Sequence, residues 1–130
     1  MNRIFKKLTE FIPIIILILM ICSLFFNFFV KGSVLYREDI TSYFYPIILT
    51  LYEMGQNAKL TYWNPYIYSG FPQIGDFETN AFYPFSFIYY IIKTPYAITL
   101  FIIIHMILSA TGMYLFLRNR NKSIFISTTG

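Results

Sequence analysis

The chain has 130 residues, of which 57% are hydrophobic, 22% aromatic and only 12% charged. Ordinary soluble domains carry about 25% charged residues, so a chain this apolar could not cover its surface in water and is typical of a membrane protein. The net charge of +4 does not indicate nucleic-acid binding, because the basic residues flank two apolar runs instead of forming a patch.

Residues 11–30 form the first apolar run, which follows a short basic leader at 1–10. Its twenty uncharged residues would rise about 30 Å as a helix, which matches the hydrocarbon core of a bilayer. Pro13 lies in the first turn, where a missing N–H costs little. A cleavable signal peptide is the alternative, but its apolar core would be shorter and would end at a small-x-small site. This run ends at Val30 before Lys31, and we therefore predict a retained transmembrane helix.

The second apolar run, 97–117, holds twenty-one uncharged residues and leads into a basic segment at 118–130. Three basic residues precede the first run and three follow the second, and short basic flanks mark the cytoplasmic side of a membrane. Both ends are therefore predicted to be cytoplasmic, with the loop 31–96 on the outer side. Residues 123–130 are mildly apolar and predict the start of a third span. We accordingly expect the N-terminal part of a longer polytopic protein or a truncated reading frame.

Each apolar run carries polar side chains four residues apart, which places them on one helix face: Ser23 with Asn27, and His105 with Ser109. Both sets would lie about 10–12 Å below the outer surface of the membrane. Polar groups at one depth are expected to face protein rather than lipid. One interpretation is helix packing, with a neutral His105 bonded to Ser23 or to a backbone carbonyl. The other is an intramembrane proton or ligand site.

The loop 31–96 contains five of the six acidic residues and the only tryptophan, Trp63. An Asn-Pro pair and a Gly-Phe-Pro triplet follow Trp63 and predict turns. Tryptophan and neighbouring tyrosines suit an aromatic layer at the level of the lipid headgroups, although aromatic faces also stack on sugars. The aromatic run at 85–92 is too short to span a bilayer and predicts an interfacial or re-entrant helix.

Glu38 and Asp39 are the adjacent acidic pair that follows the first span. Two carboxylates near a membrane surface can bind a divalent cation or act as a general base toward a lipid-linked substrate. The alternative is that Asp39 only caps a helix beginning at Ile40, while Glu38 is only a charge partner of Arg37.

Pro46 interrupts the helix predicted after Asp39. We expect a kink there, or a restart over 46–54 with Gly55 just past the end. The loop has no histidine, no Gly-rich phosphate loop, no metal-spaced His/Cys cluster and no Ser-His-Asp set. Its chemistry is therefore carried by carboxylates and aromatic rings.

Several motifs of the loop occur in a familiar order. An acidic residue precedes a Tyr-x-x-Pro helix, and three motifs follow: Trp63-Asn64-Pro65, Ser69-Gly70-Phe71-Pro72 and Phe82-Tyr83-Pro84. This arrangement resembles the first outer loop of the YfhO-type bacterial membrane proteins. These proteins look like C-type glycosyltransferases, with many spans, a lipid-phosphate sugar donor and an essential acidic residue in this loop. The resemblance implies a catalytic or metal-binding role for Asp39, with Glu38 second.

We therefore predict an all-α protein of the cell (inner or plasma) membrane, with two transmembrane helices flanking an extracytoplasmic loop of short interfacial helices. Our first hypothesis is the N-terminal part of a polytopic glycosyltransferase that uses a polyprenyl-phosphate-linked sugar to modify a cell-envelope acceptor. It would need other transmembrane helices and be inactive alone. Asp39 and Glu38 would be catalytic, and Asp39 could also bind a divalent cation. The predicted substrate-binding residues are Tyr43, Trp63, Asn64, Asp76 and Glu78.

The second hypothesis is a non-catalytic membrane module, such as a transporter fragment or an assembly subunit. Its outer loop would only pack against partners. This hypothesis predicts that Glu38 and Asp39 tolerate alanine, whereas Trp63 and Gly70 do not.

Overall fold

The computed structural model describes residues 3–57, 62–120 and 122–129, with side chains described from residue 11 onward. Within these ranges the chain is helical and forms no β-strand, which confirms the predicted all-α class for this part. The same ranges contain six α-helices: α1 (Arg3–Leu24), α2 (Phe26–Lys31), α3 (Tyr45–Asn57), α4 (Phe87–Ile91), α5 (Thr94–Asn119) and α6 (Ile124–Thr129). Shorter turns lie between them: a π-helical turn at Ile40–Phe44, and 3₁₀ turns at Gln73–Gly75, Phe77–Thr79 and Pro84–Ser86.

The chain divides into two compact units. The loop unit is Lys31–Phe101, and the apolar unit combines the described residues of Met1–Val30 and Ile102–Gly130. The loop unit therefore includes the predicted outer loop and the first residues of α5.

The first apolar run forms α1 and α2 rather than the single helix that was predicted. The helices are separated at Phe25, whose N–H reaches the Ile21 carbonyl over 3.4 Å, a long hydrogen bond for a helix. Phe29 N–H then bonds the Phe25 carbonyl at 3.3 Å, so the chain stays close to helical through the interruption. The predicted leader belongs to α1 from Arg3 onward, while Met1 lies outside the described residues.

The second apolar run forms α5, which contains the predicted 97–117 and extends it at both ends to 26 residues. Pro95 lies in the first turn of α5, where its missing N–H leaves no helical hydrogen bond unmade. By length and composition, α5 is the one helix in the described ranges that could cross a membrane. The apolar part of α1, Phe11–Leu24, is shorter than a helix that spans a bilayer.

Two polar contacts in the apolar unit are local. The Ser23 hydroxyl donates to the Met20 carbonyl at 2.7 Å, one turn back in its own helix. Ser23 therefore bonds as serine commonly does within an apolar helix. Before α6, the Ser123 hydroxyl accepts the N–H of Ile126 at 3.3 Å, which helps to begin this short helix.

The core of the loop unit is the buried face of α3. Its apolar residues Ile47, Leu51 and Met54 follow helical spacing and are fully or almost fully buried. α3 packs against α4, where the Tyr90 carbonyl passes so close to Gly55 that an added Cβ would lie 1.9 Å from its oxygen. The predicted end of the helix at Gly55 is therefore wrong, because this glycine lies inside α3 and allows the close approach of α4.

Pro46 does not stop the helix, because the turn before it widens. Tyr45 N–H bonds the Ile40 carbonyl, five residues back, so the π-helical turn makes room for a proline ring that would otherwise meet the preceding turn. The predicted capping by Asp39 is also wrong. The backbone of Asp39 is already helical and its side chain makes no capping hydrogen bond, because the helix begins earlier, with Thr41 N–H on the Arg37 carbonyl at 3.0 Å.

Candidate functional site: an acid–tyrosine cluster beside an open cleft

Tyr43 lies in the π-helical turn and connects it to a carboxylate far along the chain. Its hydroxyl donates a short hydrogen bond to Oε2 of Glu78, 35 residues away. This hydrogen bond raises the pKa of Tyr43 to about 12, and burial and the nearby charges of Glu78, Tyr68 and Asp76 raise it in the same direction. We call Tyr43, Tyr68, Asp76 and Glu78 the Tyr43 cluster. It brings together three predicted substrate-binding residues.

The acidic side of the Tyr43 cluster is built by two 3₁₀ turns. Asp76 caps the second turn, because its Oδ1 accepts the N–H of Glu78 at 3.2 Å. Thr79 is buried and its hydroxyl donates to the carbonyls of Gln73 at 3.1 Å and Asp76 at 2.8 Å. Asn80 then takes a left-handed conformation (φ 50°), which ends the turn. These local hydrogen bonds hold Asp76 and Glu78 in one orientation.

Gln73 connects these turns to α3. It is fully buried, and its Nε2 donates to the Ile47 carbonyl at 2.9 Å. The turns that carry Asp76 and Glu78 are thus joined to α3, the helix that follows the π-helical turn of Tyr43, by a side chain that we did not predict. A glutamine after a proline is no signal in itself, since only its burial in the fold gives it this role.

Trp63 and Asn64 belong to a tight turn whose ends are joined by an antiparallel bridge. Asn64 and Phe71 exchange backbone hydrogen bonds at 2.8 and 2.9 Å. The turn expected from the Asn-Pro motif is confirmed, and a second turn, closed by Gly70 N–H on the Ile67 carbonyl at 2.8 Å, ends where the Gly-Phe-Pro triplet begins. Gly70 has φ +107°, and an added Cβ would lie 2.6 Å from the Trp63 indole, so the ring lies directly over this glycine.

Asn64 acts within this turn. Its side chain is fully buried, and its Oδ1 accepts the N–H of Tyr66 at 2.9 Å in an Asx turn. Its side chain exposes no surface to a ligand in this structure, and its observed role is to fix the turn. Trp63 differs, since 53% of its side chain is exposed.

A second acid–tyrosine pair joins this turn to α3. The hydroxyl of Tyr66 donates to Glu53 at 3.0 Å, and the hydrogen bond raises the pKa of Tyr66. Both carboxylates in Glu-Tyr pairs, Glu53 and Glu78, are therefore occupied in holding the loop unit together.

Glu38 and Asp39 are arranged differently. Both are exposed in the first turn of the helix, and neither carboxylate makes a hydrogen bond or ion pair with any residue in the described ranges, although the backbone carbonyl of Glu38 accepts the Thr41 hydroxyl at 3.1 Å. Asp39 lies one helical turn before Tyr43, but no described contact connects the pair to the Tyr43 cluster. The carboxylates that the family resemblance selects are thus the two that the described structure leaves without a bonding role.

An open cleft of about 330 Å³ lies beside Asp76. Residues 74–77 and 80–83 line it, among them Phe77, Asn80 and Phe82. The Phe77 and Phe82 rings are 86% and 71% exposed, so they contribute little to the core of the loop unit. The cleft was not predicted, because its walls come from turns whose relative position depends on Gln73 and Thr79.

Neither a metal-ligand group among the described residues nor a comparison with known proteins identifies a function for this site. Within the part of the chain that the structure describes, no group of three or more His, Cys, Asp or Glu side chains could hold a metal ion. The cation predicted at Asp39 therefore finds no ligand set there. Comparisons of the chain with protein-family models, with curated proteins and with solved structures return no match.

Proposed function

We propose that the chain crosses the cell membrane twice, through α1 with α2 and through α5, with both ends in the cytoplasm. The exposure of α5 supports this placement. Only 11% of the most apolar 18-residue stretch of α5 is buried, whereas the core helix of a soluble protein would be mostly buried. The basic residues Arg118 and Arg120 at its end support a cytoplasmic location for this flank.

In this arrangement the loop unit lies at the outer surface of the membrane. The exposed apolar side chains of α4, Phe87 and Ile91, would lie at the lipid headgroups just before α5 begins at Thr94. The short helices observed at 84–91 are compatible with the interfacial helix expected from the sequence.

Within this membrane protein, we propose the function of a glycosyltransferase module that works with further transmembrane helices. It would move a sugar from a polyprenyl-phosphate carrier to a cell-envelope acceptor. The single observation that carries the proposal is the exposed pair Glu38–Asp39, whose carboxylates form no hydrogen bond or ion pair with a described residue. A catalytic carboxylate must be reachable by substrate, and the carboxylates of Glu53 and Glu78 are already bonded to tyrosines. The likeness to the YfhO-type loop independently selects Asp39.

The proposed reaction needs one proton transfer and one displacement. The Asp39 carboxylate accepts the proton of an acceptor hydroxyl, and the resulting nucleophilic oxygen attacks the anomeric carbon of the sugar. The bond between that carbon and the phosphate oxygen breaks, and the polyprenyl phosphate leaves with the electron pair. In this proposal Glu38 orients the acceptor, while Tyr43 donates to Glu78 and takes no part in the proton transfer.

The test is transfer of a labelled sugar from its polyprenyl-phosphate carrier to envelope acceptor in membranes that contain the protein with its natural partners. We expect Asp39→Asn to reduce transfer by about 10²–10⁴-fold, as for the loss of a general base, without changing membrane insertion. Glu53→Gln is the matched control, because Glu53 is bonded to Tyr66 and has no proposed role in the reaction. Full transfer by Asp39→Asn would reject the enzyme function.

The second candidate is a non-catalytic membrane module. It is favoured by the packing of Trp63 on Gly70, which makes this part of the loop unit a firmly held surface. In that case the loop unit would serve as a rigid contact surface for a partner. Alanine at Glu38 and Asp39 would then leave complex formation intact, whereas changes at Trp63 and Gly70 would abolish it.

A further inference from the structure

We propose that the cleft beside Asp76 binds the ring of a sugar. This inference deepens the proposed function and depends on it for the biological role of the sugar. The binding itself is argued from the residues of the cleft, which was not among the predicted features.

Two side-chain oxygens of the cleft are hydrogen-bond acceptors without a donor among the described residues. Asp76 uses Oδ1 for the Glu78 N–H, and its other carboxylate oxygen accepts no hydrogen bond from a described residue. Asn80 donates its Nδ2 to the Glu78 carbonyl at 3.2 Å, which leaves its Oδ1 as an acceptor. A ligand with donors fits these oxygens, and the hydroxyl edge of a pyranose supplies donors together with oxygens that can accept the second N–H of the Asn80 amide.

The apolar part of the cleft consists of aromatic rings. Phe77 and Phe82 are among the most exposed aromatic residues of the described chain. Tyr83 forms a firmer wall, since its ring packs edge-on against Phe101 with centroids 6.1 Å apart. Exposed rings beside acceptor oxygens suit a ligand with one C–H face and one hydroxyl edge. A volume of about 330 Å³ has room for one or two sugar rings.

The carboxylate charge makes a further distinction. Asp76 lines the cleft and its Oδ1 accepts the N–H of Glu78, so the cleft has one carboxylate in its wall and a second acidic residue two positions along the chain. A neutral hexose would use the acceptors alone, whereas an amino sugar would also gain from this charge. The cleft could therefore bind either a neutral hexose or an amino sugar, and the experiment distinguishes the two by their affinities.

The experiment is a titration of the purified chain in detergent micelles with glucose, N-acetylglucosamine and glucosamine, followed by saturation-transfer NMR. We expect binding in the millimolar range, weakened about tenfold by Phe77→Ala, since a stacked ring is lost. Asp76→Asn keeps an oxygen to cap the Phe77–Thr79 turn but replaces one acceptor by a donor, and should weaken binding about tenfold or more. Phe125→Ala is the matched control, because this ring is 77% exposed and lies in the other unit.

Trp63 fluorescence is measured for each variant, which verifies that the loop unit stays folded. A preference for glucosamine that disappears in Asp76→Asn assigns the site to amino sugars, and equal affinities assign it to neutral rings. Absence of binding by all three sugars, or equal binding by wild type and Phe77→Ala, would overturn the inference. These outcomes are independent of the transfer assay. If Phe77→Ala weakens sugar binding but Asp39→Asn keeps full transfer, the enzyme function is rejected while the sugar-binding cleft stands.

Discussion

The loop unit and the apolar helix α5 are ordered in different ways. In the loop unit, short helices and turns are held by close, specific contacts, such as Gly55 against the Tyr90 carbonyl and Trp63 over Gly70. In α5, the backbone supplies its own hydrogen bonds over 26 residues, and few residues of its most apolar stretch are buried. A unit of the first kind is sensitive to the shape of each residue. A helix of the second kind requires only apolar character over its length.

The largest expected effect compares two leucines, one from each region. Leu51 on α3 is fully buried, so Leu51→Ala should lower the free energy of unfolding by about 2–5 kcal/mol, because it leaves a cavity. Leu115 on α5 is 57% exposed, so Leu115→Ala should change it by less than about 0.5 kcal/mol. Thermal unfolding in detergent micelles, followed by circular dichroism, measures both. Equal costs would contradict the contrast between the two regions.

A second effect concerns the left-handed glycine beneath the tryptophan. Gly70→Ala should cost about 1–3 kcal/mol, because a Cβ disfavours φ +107° and would also displace the indole of Trp63. Trp63 is the only tryptophan, so a shift of its emission reports the displacement directly. Gly75→Ala is the control, since an added Cβ there meets nothing within 4 Å. An unchanged emission in Gly70→Ala would show that the ring does not rest on this glycine.

The same contrast explains which features could be predicted from the sequence. The apolar run of α5 and the turns around the Asn-Pro motif depend on local composition, and both were predicted correctly. The end of the helix at Gly55 was wrong, because a contact with the distant Tyr90 carbonyl decides it. The capping role of Asp39 was wrong, because the helix already begins at the Arg37 carbonyl. The hydrogen bond of Tyr43 to Glu78 spans 35 residues, and no local pattern indicates it. For the candidate site, the sequence supplied the residue types, and the fold determined which of them meet.

The smallest expected effect tests whether the hydrogen bond of Tyr43 to Glu78 is one of the contacts that stabilise the loop unit. Tyr43→Phe removes the donor to Glu78 and should cost about 0.5–1 kcal/mol at neutral pH, the lower range for a hydrogen bond, because water reaches this pair. Stability should also depend on pH. The pKa of Tyr43 is raised from 10.0 to about 12 in the folded chain, so its contribution is complete below pH 10 and is lost as the pH rises toward 12.

The measurement is the difference in unfolding free energy between wild type and Tyr43→Phe, taken as a function of pH in detergent micelles. The hydroxyl of Tyr43 stays protonated in the fold above the pH at which it ionises in the unfolded chain, so folding resists ionisation and the difference shrinks only above pH 10. Tyr66→Phe serves as the comparison, because its partner Glu53 lies on α3 itself. A difference that stayed constant up to pH 12 would place the Tyr43 hydroxyl away from Glu78. The acidic turns would then be held to α3 by Gln73 without the help of Tyr43.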